Sequence, residues 1–170
     1  MTRYHILSER SRLTIAGRSS VHGIRLTADG VEGWLDLLLE DGGIDLLTAT
    51  GAQLSVPVRR FRSGNPLEDR ELRRRVDARR FPSVDATLTN LAPTGSVGRY
   101  HATGDITFHG VTRAHEGDVT LTALGDDRVR VQGRTTVDIR PFGVEPPRLL
   151  GLRVEPEVEV ALDVVANEDV

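Results

Sequence analysis

The residues of this chain best suited to acid–base or metal chemistry are its five histidines, His5, His22, His101, His109 and His115. None of them forms the His-Glu-x-x-His pattern that turns two imidazoles towards one zinc ion from a helix. His101, Asp105 and His109 fall at even spacings and would share one face of a strand. The outer two would then stand roughly 26 Å apart, too far for that strand alone to close around a cation. His22 could act only with a partner distant in sequence. Ser19 and Ser20 lack the strand–turn–helix setting of a nucleophile elbow, and no glycine-rich phosphate cradle leads from a strand into a helix. Cysteine is absent, which removes disulfides, thiolate metal sites, iron–sulfur ligation and cysteine nucleophiles together. All 22 basic residues are arginine, so Schiff-base and phosphate-loop lysines are absent too. What remains is binding chemistry, and binding needs a scaffold.

The 170 residues make one domain, 1–170, with no composition shift along it. A domain of that length buries roughly 70% of the surface its unfolded chain exposes, enough to need no metal or disulfide staple. With 38% apolar and 28% charged residues the composition is that of a globular protein rather than a disordered one. A net charge of −3 argues against nucleic acid as a partner. The opening segment, Met1 to Ser8, holds no apolar run of signal-peptide length, and no later stretch is long enough for a membrane-spanning helix. The expected location is the cytoplasm.

Apolar and polar residues alternate with a period of two over most of the chain, the mark of strands with one buried face. The runs are Leu13-Thr14-Ile15; Val31 to Leu39; Leu54, Val56 and Val58; Val84, Ala86 and Leu88; Tyr100 to Phe108; Val119, Leu121 and Ala123; Val129 to Val137; and Val158 to Val164. Turn signals such as Asp29-Gly30, Asp41-Gly42-Gly43 and Gly125-Asp126-Asp127 separate about eight strands. One stretch breaks the period. From Asn65 to Val76 a cap-like Asn precedes Pro66, acids occupy the first turn and arginines the last, and Leu72 and Val76 share a face. This predicts one short helix, ended before Phe81-Pro82. An all-β chain with one inserted helix is a closed antiparallel barrel or a sandwich. Gly33, Gly104 and Gly133, placed on the inward face of long strands, favour the coiling that a barrel requires.

An ordered set of short segments then resembles the YceI-like family of lipocalin-like barrels. Arg3-Tyr4-His5-Ile6 and Ser11-Arg12-Leu13 resemble its opening hairpin, and Ser19-Ser20-Val21-His22 leads into Val31-Glu32-Gly33. Val56-Pro57-Val58, the arginine-rich helix, Arg80-Phe81-Pro82 and the run from Gly104 to Arg113 follow, then Arg140-Pro141-Phe142-Gly143 and Glu157-Val158-Glu159-Val160. The resemblance implies an eight-stranded antiparallel β-barrel, with one short inserted α-helix here, whose apolar cavity holds polyisoprenoid or related lipids. Many relatives carry a secretion signal, which this sequence does not match. The Pro146 to Gly151 stretch also departs, reading as an insertion-like loop.

Eight strands make a barrel whose interior is either just filled by side chains or holds one small ligand. The residues expected to face inward and contact such a ligand are Leu13, Ile15, Leu35, Leu37, Val56, Val58, Leu88, Ile106, Phe108, Val119, Leu121, Val131 and Phe142. The same residues would equally make an ordinary core. His115 shares their parity and could bond a head group, or else sit in a turn after Gly110-Val111-Thr112. No metal or cofactor is expected beyond a bound isoprenoid or other lipid, such as a quinone-like or fatty-acyl amphiphile. Trp34 has the opposite parity and is expected to face outward, covering the helix or a second copy in a homodimer. From Arg59 to Arg80 nine arginines oppose four acids; this segment reads either as a solvated face with internal Glu–Arg pairs or as a weak contact for anionic membrane. Two other readings stand beside the lipid carrier: a plugged barrel working through its surface as a homodimeric or stress-associated module, and an enzyme using His115 or His22 as base.

Overall fold

The computed structural model describes residues 1–21, 23–48, 50–146, 148–149 and 152–168. The chain runs through β1 (Thr2–Ile6), β2 (Arg12–Arg18), β3 (Gly23–Ala28), β4 (Glu32–Leu37), the short pair β5 (Leu39–Glu40) and β6 (Gly43–Ile44), β7 (Gly51–Pro57) and β8 (Phe61–Arg62). Helix α1 (Pro66–Arg75) follows, then β9 (Ser83–Pro93), β10 (Arg99–Phe108), β11 (Val111–Ala123), β12 (Arg128–Asp138), the short pair β13 (Arg148–Leu149) and β14 (Leu152–Arg153), and β15 (Glu157–Glu168). Strands β1, β4, β7, β9, β10, β11, β12 and β15 bond in that order, and β15 returns to β1. Eight antiparallel strands thus close a barrel, with β2, β3 and β8 continuing the sheet beyond β15.

Closure depends on how β15 is shared. Its first half, Glu159–Asp163, pairs with β2, and its last residues, Ala166–Glu168, pair with β1. Between the two partners the chain steps out through a 3-10 turn at Ser8–Arg10, which would strand the backbone of Val165. Leu7 N donates to Val165 O at 2.8 Å, and the buried Ser11 hydroxyl accepts from Val165 N at 3.0 Å. The 3–6 and 11–13 segments are therefore not a hairpin: both lie along one edge of β15, because the turn offsets them by one barrel position instead of folding them together.

Two glycines carry the coiling. Gly33 has φ +141°, and a Cβ there would lie 1.9 Å from Gln53 O on β7. At Gly104 the β9–β10 register slips by one residue, so that Leu88 faces Gly104 while Asn90 faces Thr103; a Cβ would stand 2.6 Å from Thr87 O. That bulge lets Leu88 and Leu91, three residues apart, both line the lumen, a spacing that strict alternation does not show.

Other boundaries also differ from the periodic reading. The Val31–Leu39 run breaks at Leu38 into β4 and β5, and Val58 opens a 3-10 turn (Val58–Arg60) after β7 rather than continuing it. Strand β3, in which Ile24, Leu26 and Ala28 alternate, is missing from the periodic reading although the Asp29-Gly30 turn signal directly follows it. His109 leaves the strand face of His101 and Asp105, adopting φ +54° in the β10–β11 turn.

The helix forms as its composition demands. Asn65 Oδ1 accepts from Leu67 N at 3.0 Å and Glu68 N at 3.4 Å, with Pro66 in the first turn. Asp69 does more than complement the dipole: buried, it accepts from Ser63 N at 2.8 Å and Ser63 Oγ at 2.7 Å, tying the first turn to the end of β8. Val76 packs with Val58, Phe142 and Val144 across one barrel end. The other end is closed by Tyr4, Leu35, Leu37, Tyr100, Leu121 and Val129. There the Tyr100 hydroxyl accepts from Ile44 N at 2.6 Å and pins the β5–β6 pair over the opening.

Replacing Ser11 by Ala leaves the Val165 N–H buried without an acceptor. We expect a loss of about 1–3 kcal/mol, read as a lower denaturant midpoint at unchanged m-value; an unchanged midpoint would refute the patching role.

Candidate ligand-binding lumen

Two apolar cavities follow one another along the barrel. One of about 200 Å³ lies under α1 and the 3-10 turn Arg140–Phe142, and one of about 290 Å³ fills the middle of the barrel. They adjoin, since Leu13, Val84, Ile106, Thr135 and Val160 line both. Together they reach the range of small-molecule sites, roughly 300–1,000 Å³.

The fourteen residues singled out from sequence are distributed between them. Ile15, Val58, Phe108 and Phe142 line the cavity under the helix; Leu35, Leu37, Val56, Leu88, His115, Val119, Leu121 and Val131 line the central one; Leu13 and Ile106 touch both. Pattern reading missed Ile24 and Leu26 on β3, Phe61, the helix residues Leu72 and Val76, and Val144 and Val154 beyond the last 3-10 turn. The pairing of Leu72 with Val76 was visible as a helix face, but nothing local says what that face covers.

The lumen stays open because its large side chains sit elsewhere. Among the described residues no phenylalanine, tyrosine or tryptophan lines the central cavity. Phe61, Phe108 and Phe142 gather under the helix, the last two with ring centroids 6.1 Å apart. Trp34 lies outside the barrel, with the Arg3 guanidinium 4.2 Å above its ring. Arg3 also makes a two-pronged bond to Asp36, both contacts at 2.7 Å. The expectation that Trp34 covers the helix is thus corrected: β1, next to β4, supplies its cover.

Most of the lumen wall is aliphatic, though Asp85, Asp105, Glu116, Asp118 and Arg134 also border the central cavity. His115 lies within β11 rather than in a turn, and its Nε2 is 2.9 Å from Thr135 Oγ1. Because Thr135 lines both cavities, this pair marks their junction. Arg75 is the one charged residue lining the cavity under the helix; it is exposed and bonded through Nε to Glu71 at 3.0 Å. That cavity therefore reaches the surface beside the C-terminal turn of α1. A wider depression of about 600 Å³ lies on the outer face of β2, β15, β12 and β11. It is floored largely by polar residues, some of whose charges pair, as in Arg99–Asp118 at 3.1 Å and Arg134–Glu159 at 3.5 Å.

The remaining histidines do not converge. His109 Nδ1 lies 3.2 Å from Phe142 O, and its ring packs on Phe81 at 4.7 Å. His101 points outward between Asp118 (Nδ1–Oδ1 2.9 Å) and Glu116 (Nε2–Oε2 3.3 Å). His22 falls outside the described residues, as do Pro147, Leu150 and Gly151 of the proline-bearing loop. No group of three or more metal-ligating side chains occurs among the described residues, and none of their helices is long and apolar enough to cross a membrane.

A closed eight-stranded antiparallel barrel with an apolar lumen and a helix across one end defines a lipocalin-like barrel fold. A profile of the YceI-like domain matches residues 4–166, and the chain belongs to that family. Among solved structures it is similar to BcnA of Burkholderia cenocepacia, with TM-score 0.78 and 17% identity over 94% of this chain and 98% of that one. It is also similar to a polyisoprenoid-binding domain from Saccharophagus degradans implicated in plant cell wall breakdown, with TM-score 0.78 and 14% identity over 99% and 100% of the two chains. The YceI protein of Campylobacter jejuni aligns with TM-score 0.70 and 12% identity over 89% and 88%. No protein of curated function matches the sequence significantly.

Hydrogen bonds from the His101 ring to Asp118, then to Glu116, hold the imidazole above its usual range, and the same contact holds Asp118 below the usual carboxylate range. The histidine's contribution to stability is therefore complete below its unfolded-state value and is lost as pH rises through the folded one. In an NMR titration His101 should show a midpoint above about 6.5, and Asp118→Asn should lower it. A His101 midpoint unaffected by that substitution would contradict the pairing.

Proposed function

We propose that this protein is a non-enzymatic carrier that holds one apolar, chain-like lipid, such as an isoprenoid, a quinone-like molecule or a fatty-acyl amphiphile, along the barrel axis. The observation that supports it is the pair of adjoining cavities, walled by aliphatic carbon and without an aromatic plug at the centre. Strands of about ten residues, tilted at roughly 40°, give a barrel some 25–30 Å long, which suits an extended chain rather than a compact ligand. Each buried methylene contributes about 0.8 kcal/mol without directional contacts. The tail would thus supply affinity, while the His115–Thr135 pair offers the few polar contacts that orient a ligand.

A carrier also accounts for the chemistry that is missing. Of the fourteen candidate contact residues only His115 titrates, and its described partner is a threonine hydroxyl, not the carboxylate that would orient a general base. The competing reading, a plugged barrel acting through its surface, is disfavoured by the void itself. Its contact residue Trp34 is already covered by Arg3.

Native mass spectrometry of gently purified protein, followed by solvent extraction, should reveal a bound lipid. Ala102 lines the central cavity. Ala102→Trp should fill that space, abolish co-purification and weaken a fluorescent fatty-acid probe at least tenfold, about 1.4 kcal/mol, at a retained thermal transition. A bare protein mass together with an empty extract would overturn the proposal.

A further inference from the structure

The two barrel ends differ in charge as well as in packing. Helix α1 and its flanks, Arg59 to Arg80, carry nine arginines against four acids in a chain whose net charge is −3. Glu71 takes up Arg74 and Arg75, while Asp77 holds Arg80 at 3.9 Å and Asp29 holds Arg60 at 3.5 Å. Asp69 is spent on Ser63. Among the described residues no carboxylate pairs with Arg59, Arg70 or Arg79, and all three are exposed. At the opposite end, which Tyr4 and Tyr100 close, the exposed turns carry Glu40-Asp41 and Asp126-Asp127.

A second observation concerns apolar surface. Leu67 (65% exposed) stands on the first turn of α1 and Val21 (75%) at the tip between β2 and β3, though exposed apolar side chains are not confined to this end: Leu47 (99%) follows β6 and Val97 (94%) lies in the β9–β10 turn. The β2–β3 tip belongs to the same end as α1: Gly17 and Ile24, at its base, line the cavity together with Leu72, Arg75 and Val76 of the helix. Unneutralised arginines, two projecting apolar side chains and the surface-reaching end of the lumen therefore coincide, while the acidic turns lie at the far end.

We propose that this end is a docking surface for an anionic lipid bilayer, and that the axial charge asymmetry presents the barrel to the membrane helix-first. Basic residues near an anionic surface are attracted within a Debye length, and acids beyond that distance are screened. The asymmetry thus orients the molecule although its net charge is negative. Leu67 and Val21 would enter the interface between head groups and acyl chains, as apolar anchors do. So placed, the lumen would exchange its occupant with the bilayer without carrying it through water. This purpose rests on the carrier reading; the docking itself does not.

The test uses delipidated protein and extruded vesicles of phosphatidylcholine, with or without phosphatidylglycerol, at low and high salt. Binding should appear only with phosphatidylglycerol and fall about tenfold or more in high salt. The double variant Arg70→Glu, Arg79→Glu should weaken it by at least about tenfold, whereas Asp126→Asn with Asp127→Asn should leave it unchanged. Leu67→Trp in a Trp34→Phe background should show blue-shifted emission on binding. Equal binding to neutral vesicles, indifference to the arginine reversals, or an unshifted emission at position 67 would overturn the proposal. Co-purified lipid without vesicle binding would sink docking and leave the carrier reading intact; vesicle binding by a protein that never holds lipid would do the reverse.

Discussion

The lumen exists because β15 serves two partners along one edge. If β1 and β2 were one unbroken strand, β1 could not step aside to meet β4, and the sheet would stay open with its apolar face exposed to water. The step leaves Val164 and Val165 of β15 without a partner in β1 or β2, and a buried hydroxyl and a backbone amide supply what that edge of the ladder would have given Val165. An unmet backbone pair at that depth would weigh against folding by more than a typical hydrogen bond contributes. Ser11 is thus a small residue with architectural consequence. The same edge that closes the barrel at β1 extends through β2, β3 and β8 towards the helix, so closure and capping share a single strand.

Once the sheet is closed, the size of the inward side chains decides whether it is a core or a container. Leu, Val, Ile, Ala and Gly line the centre, and the bulky groups are displaced: three phenylalanines under the helix, two tyrosines at the far end, and the tryptophan outside beneath an arginine. The ends are stabilised by packing and the middle is left hollow.

Polar groups complete the division. On the outer face, charges meet cross-strand partners, as Arg130 meets Asp163 and His101 meets Asp118; such exposed pairs add little stability but keep the sheet's outer surface well solvated. Inside, the His115–Thr135 pair satisfies part of its own hydrogen-bonding capacity at the junction of the cavities. The fold is shared with solved barrels at 12–17% identity.

Alternation along each strand was enough to determine which side of β4, β10, β11 and β12 turns inward, because side-chain parity is a local property of an extended backbone. The helix was equally local, written in Asn65, Pro66 and the order of its charges. Other features depend on contacts between segments far apart in sequence. The offset of β1 from β2, the bulge that brings Leu91 to the lumen beside Leu88, the burial of Asp69 against Ser63 and the covering of Trp34 by Arg3 each require a partner that no window of sequence contains. The same is true of the void. Identical inward residues can meet across an axis or leave it empty, and only the closure of eight strands around a fixed circumference holds them far enough apart to leave space.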